Sequence, residues 1–285
     1  MKMVARLFAV TVCLLFLCTG MAWGQQPSPT PAQSFPKVCL PGSELRTIKS
    51  VSTGRDYDIY VHLPSDYTKE PAKEYPVLYI LDGQWDFKLM DSVLGGLVYD
   101  KFVPEMLMVG ITYSGENPDY NSLRAMDLTP TATPQEKGSG DAPKFLRFLE
   151  KELIPFIQAN YRADPQRRIL QGHSFGGLFT LYAMFSDPGL FSAYVAGSPA
   201  VRYDHDYAFK QEATYAHTHT ALPVKLFLAV GGSEDLDKPV EEFITQLRSR
   251  NYEDLKLETR VIEGERHAGV KPELFNRGLR FVFSK

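Results

Sequence analysis

The stretch that most constrains this chain is Gln171-Gly172-His173-Ser174-Phe175-Gly176-Gly177. A short apolar run, Arg168-Ile169-Leu170, leads into it, and an apolar segment over residues 178–185 leads out. That order predicts a strand, a very tight turn and a helix. A serine at the apex of such a turn stands above the sheet edge with its hydroxyl exposed. Glycines two residues to either side, Gly172 and Gly176, leave room for the bend. The helix starts directly after the serine. Its free N–H groups and positive end then flank a place where negative charge can form. Ser174 is therefore a candidate nucleophile.

The rest of the chain supplies a scaffold for that turn. Residues 44–51 and 55–63 read as two antiparallel strands. In the second, Tyr57, Ile59, Val61 and Leu63 alternate with Asp58, Tyr60 and His62. The run Pro76-Val77-Leu78-Tyr79-Ile80-Leu81 suits a strand buried on both faces. It ends in Asp82-Gly83-Gln84, and a helix is expected over residues 85–98. Residues 105–112 read as another buried strand. Residues 121–140, polar and rich in Pro and Thr, read as a long functional loop. Residues 141–161 give the clearest helix, with Phe145, Phe148, Leu149, Leu153, Phe156 and Ile157 on one face. Beyond the turn, strands are expected at 191–195, 223–230 and 257–262, and helices at 240–250 and 271–283. Residues 201–220 show no clear period. Strands alternating with helices after an opening hairpin predict an α/β fold: a mostly parallel, doubly wound sheet covered on both faces. Ligands of such sheets sit beyond the carboxyl ends of the strands.

The 285 residues carry a net charge of -3 with scattered basic residues, which gives no sign of a nucleic-acid partner. Lys2 and Arg6, an apolar run over residues 7–17 and small residues at Ala22 and Gly24 read as an export signal cleaved after Gly24. The run is short for a membrane span, so none is expected in the mature chain. Residues 25–37, rich in Pro, Gln and Ser, read as a linker, and 38–285 as the folded domain. Cys13 and Cys18 leave with the signal, so one cysteine, Cys39, remains and no internal disulfide is expected in the mature chain. Export to the periplasm or beyond is expected.

A serine hydroxyl is a poor nucleophile at neutral pH. It needs a base in hydrogen-bond reach, and the base needs an orienting acid. His173 flanks the serine, and its side chain should point away from it. His267, in the loop after the last strand, is the expected base. The acid should lie after the preceding strand, where Glu234 is favoured and Asp235 is the alternative; Asp237 reads as a surface or capping residue. A tetrahedral intermediate also needs two N–H donors. One is expected from Phe175, the other from Gly83 or Gln84. Trp85 and Phe87 are candidates for either a pocket wall or the core. His217-Thr218-His219 could place two imidazoles on one side of an extended segment but lacks a third ligand, so neither a metal nor a cofactor is called for.

Taken together, several stretches resemble one family. They are Leu78-Tyr79-Ile80-Leu81-Asp82-Gly83, Arg124 with Asp127-Leu128-Thr129-Pro130-Thr131, the helix over 145–162, residues 168–178, residues 191–199, residues 231–234, and His267. In order and spacing this set resembles the bacterial esterase branch of the α/β-hydrolase superfamily, which includes enterochelin and other siderophore esterases and esterase-D-like enzymes. The resemblance covers almost the whole mature chain. It implies an α/β-hydrolase fold and a small-molecule ester as substrate, with Ser174 as nucleophile, His267 as base and the acid near Glu234. After Ser198-Pro199 the chain departs from siderophore-type members with Ala200-Val201-Arg202-Tyr203-Asp204, and it shows no dense basic cluster for a trianionic catecholate complex. The expectation is therefore an exported serine esterase. The alternatives are a siderophore trilactone esterase and an acyltransferase, with a non-catalytic binding protein as the remaining reading.

Overall fold

The structure, a computed structural model, describes residues 38–284. The expected export signal and linker lie outside the described residues. The folded unit is Leu40–Lys285. Among the described residues no helix is long and apolar enough to cross a membrane.

The sheet has eight strands: β1 (Ser43–Lys49), β2 (Asp56–His62), β3 (Tyr75–Ile80), β4 (Leu107–Tyr113), β5 (Ala163–His173), β6 (Ala193–Gly197), β7 (Lys225–Gly231) and β8 (Lys256–Ile262). Their spatial order is β1-β2-β4-β3-β5-β6-β7-β8. The β1/β2 and β2/β4 pairs are antiparallel; the others are parallel. The opening hairpin and the doubly wound sheet are those the alternating pattern predicts. On β2, Tyr57, Ile59 and Val61 are buried while Tyr60 and His62 are only partly so. That is the period of two of a strand with one face on the core.

Helices cover both faces. On one side lie α1 (Gly83–Tyr99) and α8 (Lys271–Phe283), packed on Leu78, Ile80, Ile169, Val195 and Phe227. On the other lie α3 (Ala142–Phe148), α4 (Ile154–Asn160), α5 (Phe175–Ser186), α6 (Tyr203–Thr218) and α7 (Asp237–Ser249). These pack on Tyr57, Val77, Tyr79, Leu170, Tyr194 and Leu228. A further helix, α2 (Tyr120–Leu128), sits beside α5. Neighbouring residues of β3 and β5 thus feed opposite cores, which accounts for their unbroken apolar runs.

Three local expectations are corrected. Residues 121–140 are not all loop, because α2 occupies the first part. Residues 201–220 contain α6, whose first turn is distorted: Asp204, His205 and Asp206 all have positive φ. His219 therefore caps a helix, its ring stacked on Tyr215 at 4.1 Å, and does not lie in an extended pair with His217. The helix over 141–161 is broken by one π turn, Leu149–Leu153, where the Ile154 N–H bonds the Leu149 carbonyl. Pro155 has no N–H to continue an α-helical ladder there. It falls in the first turn of α4, where that loss costs nothing.

Candidate active site

The turn between β5 and α5 is held in a rare backbone conformation. Ser174 has φ 63° and ψ −118°, a region that non-glycine residues enter only when their surroundings hold them there. The Ser174 N–H donates to the Gly197 carbonyl at 2.9 Å, and the Ser174 carbonyl accepts from Leu178 N–H at 2.9 Å. The glycines have unequal duties. A Cβ on Gly172 would sit 2.2 Å from the Gly176 carbonyl oxygen, and one on Gly177 would sit 2.7 Å from the Gly197 carbonyl oxygen. A Cβ on Gly176 would meet nothing closer than 3.4 Å. Gly172 and Gly177, rather than the symmetric pair of the motif, are the positions that a side chain cannot enter.

His173 points away from Ser174, as the alternation of a strand requires, to the side of α1 and α8. It is buried, and its ring lies 4.4 Å from the ring of His267. Burial first, then the neighbouring His267 and Lys271, push its pKa down to about 3. It is a neutral imidazole on which the His267 ring rests.

The loops after β7 and β8 are fitted together by their backbones. Ser233 N–H donates to the Glu265 carbonyl at 3.0 Å, and a Cβ on Gly231 would collide with that carbonyl at 2.4 Å. This places Glu234 against His267: His267 Nδ1–H donates to Glu234 Oε2 at 2.6 Å. The other carboxylate oxygen, Oε1, accepts from Gly231 N–H at 2.7 Å and from Ser198 Oγ at 2.5 Å. Three donors thus fix one carboxylate, whose side chain is only 6% exposed. With Nδ1–H committed to Glu234, the His267 Nε2 carries the lone pair. Asp235 is exposed and makes no hydrogen bond or ion pair among the described residues. No hydrogen bond links Ser174 Oγ to His267 in this structure.

Of the oxyanion candidates, Phe175 is the first residue of α5 and Gly83 the first of α1, so both lead helices with free N–H groups. Gly83 is a glycine for a packing reason that the sequence did not disclose. A Cβ there would lie 2.9 Å from the backbone of Gly110 and Ile111 on β4. Both polar atoms of the Gln84 side chain are buried without a protein partner. Phe87 is buried against Gly110, whereas Trp85 is 42% exposed and packs edge-on to Tyr120.

Two contributors were not assigned a role from the sequence. Ser198, buried with φ 38°, donates to Glu234. Arg124, on α2, grips Asp82 in two-point fashion: Nε to Oδ1 at 2.8 Å and Nη2 to Oδ2 at 2.7 Å. Its only sequence signal was its place in the family-like stretch before Asp127. Beside Phe175 opens a cavity of about 340 Å³, lined by Thr133, Glu136, Tyr203, Asp204 and His205 among others. Further below, Lys271 Nζ lies 2.6 Å from Asp86 Oδ1, tying α8 to α1. Burial nonetheless pushes Asp86 up to about 6.

Comparison with known proteins gives a consistent picture. A sequence model of the family described as "Putative esterase" matches residues 50–268. Ferri-bacillibactin esterase BesA of Bacillus subtilis is 31% identical over 263 residues, covering 85% of this chain and 90% of that protein. The crystal structure of the BES protein from Bacillus cereus superposes with a TM-score of 0.79 at 27% identity, over 88% of this chain and 98% of that one. An IroE-like serine hydrolase from Shewanella oneidensis gives a TM-score of 0.76 at 27% identity, over 84% and 79% of the two chains.

Proposed function

The chain belongs to the "Putative esterase" family and is a serine hydrolase of carboxylic esters; from that premise we propose that Ser174, His267 and Glu234 form its catalytic triad. The observation that carries this reading is the 2.6 Å bond between Glu234 and His267, whose ring lies 4.4 Å from that of His173, the residue preceding Ser174. Glu234 fixes the tautomer of His267 and stabilises the imidazolium that forms when Nε2 takes the Ser174 proton. The serine oxygen attacks the ester carbonyl, and the alcohol leaves with the proton that His267 returns. Water then repeats the sequence on the acyl-enzyme. The Ser174–His267 bond is one that commonly tightens only once substrate is bound. The oxyanion is held by the N–H groups of Phe175 and of Gly83 or Gln84. Asp235 stays outside the mechanism.

The substrate class we propose is a siderophore ester of the lactone type. The ferri-bacillibactin esterase is the relative that supports it, with similarity running over nearly the full length of both chains. Aromatic rings also gather here: Trp85 and Phe175 flank Arg124, with Tyr120 packed edge-on to Trp85 and Tyr203 edge-on to Phe175. Such faces stack readily on the rings of aryl-bearing substrates. Residues 1–24 act in this reading as an export signal, so the mature enzyme meets its ester outside the cytoplasm.

Hydrolysis of a tricatecholate trilactone, free and iron-loaded, should be followed beside a series of simple aryl esters. The reading expects the lactone to give the higher kcat/KM. Cleavage of aryl esters with none of the lactone would overturn the substrate assignment while leaving the triad intact. Transfer of the acyl group to an added alcohol in preference to water would mark an acyltransferase instead.

A further inference from the structure

Two helices begin at this site, each after a residue with positive φ. Asp82 precedes α1 with φ 55° and ψ 41°, and Ser174 precedes α5 with φ 63° and ψ −118°. The Asp82 carbonyl accepts from Trp85 and Asp86 N–H at 2.9 and 3.1 Å, so it points into its helix. A trans peptide sets the next N–H antiparallel to that carbonyl. The Gly83 N–H therefore points out of the start of α1. By the same geometry, with the Ser174 carbonyl bound by Leu178 N–H, the Phe175 N–H points out of the start of α5. The two helix starts are adjacent, since a Cβ on Gly176 would lie 3.4 Å from Asp82 Oδ2.

One side chain is registered to both. Arg124 holds the Asp82 carboxylate with two bonds, and its Nη2 also reaches the His173 carbonyl at 3.4 Å. Its guanidinium lies 5.7 Å from the ring of Trp85 on α1 and 5.4 Å from that of Phe175 on α5. Both partners are largely buried, with side chains 13% and 4% exposed. A planar fork fixes angle as well as distance, which a lysine ammonium does not.

We propose that Arg124 and Asp82 are positioning residues that hold the two oxyanion donors, Gly83 N–H and Phe175 N–H, at one fixed separation. This rests on the triad reading above, because it needs Ser174 as the attacked centre.

The test uses the full-length mature enzyme and a neutral substrate, p-nitrophenyl butyrate, which offers Arg124 no anion to bind. Arg124→Lys and Asp82→Asn should each lower kcat about 100-fold, the scale of losing one oxyanion donor, with KM changed less than about threefold. Both should weaken binding of an alkylboronic acid, a tetrahedral oxyanion mimic, in the same proportion. The double variant should be little worse than either single one, since the pair acts as a unit. Should Arg124→Lys not fold, Asp82→Asn carries the same comparison. Unchanged kcat, a loss confined to KM, or single effects that multiply would overturn the proposal. Failure of the underlying reading looks different: wild-type enzyme would then not be labelled at Ser174 by a fluorophosphonate, whatever Arg124 does.

Discussion

Glu234 Oε2 lies 2.6 Å from His267 Nδ1, and the same carboxylate is anchored through Oε1 by Gly231 and Ser198. The next residue, Asp235, faces solvent. Glu234→Gln should therefore lower kcat by roughly 10²–10⁴, because a neutral amide no longer fixes the tautomer or stabilises the imidazolium. Asp235→Asn should stay within about threefold of wild type. Steady-state kinetics on one aryl ester decides it, and the reverse ranking would exchange the two roles.

His173 is held neutral by burial, with its pKa pushed down to about 3 from an unperturbed 6.5. Between those values the unfolded chain binds a proton that the fold does not. The His173 contribution to stability is therefore full above pH 6.5 and lost as pH falls toward 3. Asp86 and Asp127, both raised to about 6 by burial, act in the opposite sense: their contribution is present at low pH and lost as pH rises through 6. Comparing His173→Gln with wild type leaves those two terms in common. The stability difference between the two proteins should shrink by roughly 1.4 kcal/mol per pH unit on acidification inside that window. Urea unfolding from pH 4.5 to 7 measures it; a pH-independent difference contradicts the assignment.

The three glycines of the turn should separate by substitution. Gly172→Ala and Gly177→Ala force a Cβ to within 2.2 and 2.7 Å of a backbone carbonyl oxygen, so both should fold poorly or not at all. Gly176→Ala meets its nearest neighbour at 3.4 Å and should leave a folded protein. Thermal melting of the three variants gives the ranking; equal destabilisation would mean that the turn relaxes as a whole.

Glu212 on α6 is fully buried and bound by Arg250, Gln246 and Tyr252. Glu212→Ala leaves the Arg250 cation and the Tyr252 hydroxyl without this acceptor and should cost about 3 kcal/mol. It lies away from Ser174, so kcat per folded molecule should hold. A melting shift of less than a degree would show that the network is solvent-relaxed.

The elements that the sequence disclosed are those whose buried face is apolar. β3 and α5 announce themselves as unbroken apolar runs, and the Phe145-to-Ile157 face by its period. The two helices that it concealed bury charge instead. In α2, Arg124 meets Asp82 and Asp127 meets Arg55 and Tyr57, partners roughly 40 to 70 positions away in sequence. In α6 the buried face is Ala208, Glu212 and Tyr215. No local window shows that such charges are neutralised, so a helix reads as a polar loop. The site follows the same rule. Ser174 sits in a local pattern and was legible. Which of Glu234 and Asp235 faces His267 depends on where Gly231 and Ser198 present their donors, and that is a property of the assembled loops. The pairing of Arg124 with Asp82 is likewise visible only in three dimensions.

The central claim is that Ser174 carries the acyl group, and mass spectrometry of the mature enzyme after a fluorophosphonate tests it directly. The account predicts one adduct per chain, mapped to the peptide containing Ser174, and none on Ser174→Ala. An adduct that persists undiminished in Ser174→Ala, or the absence of any adduct on an enzyme that still hydrolyses esters, would contradict it.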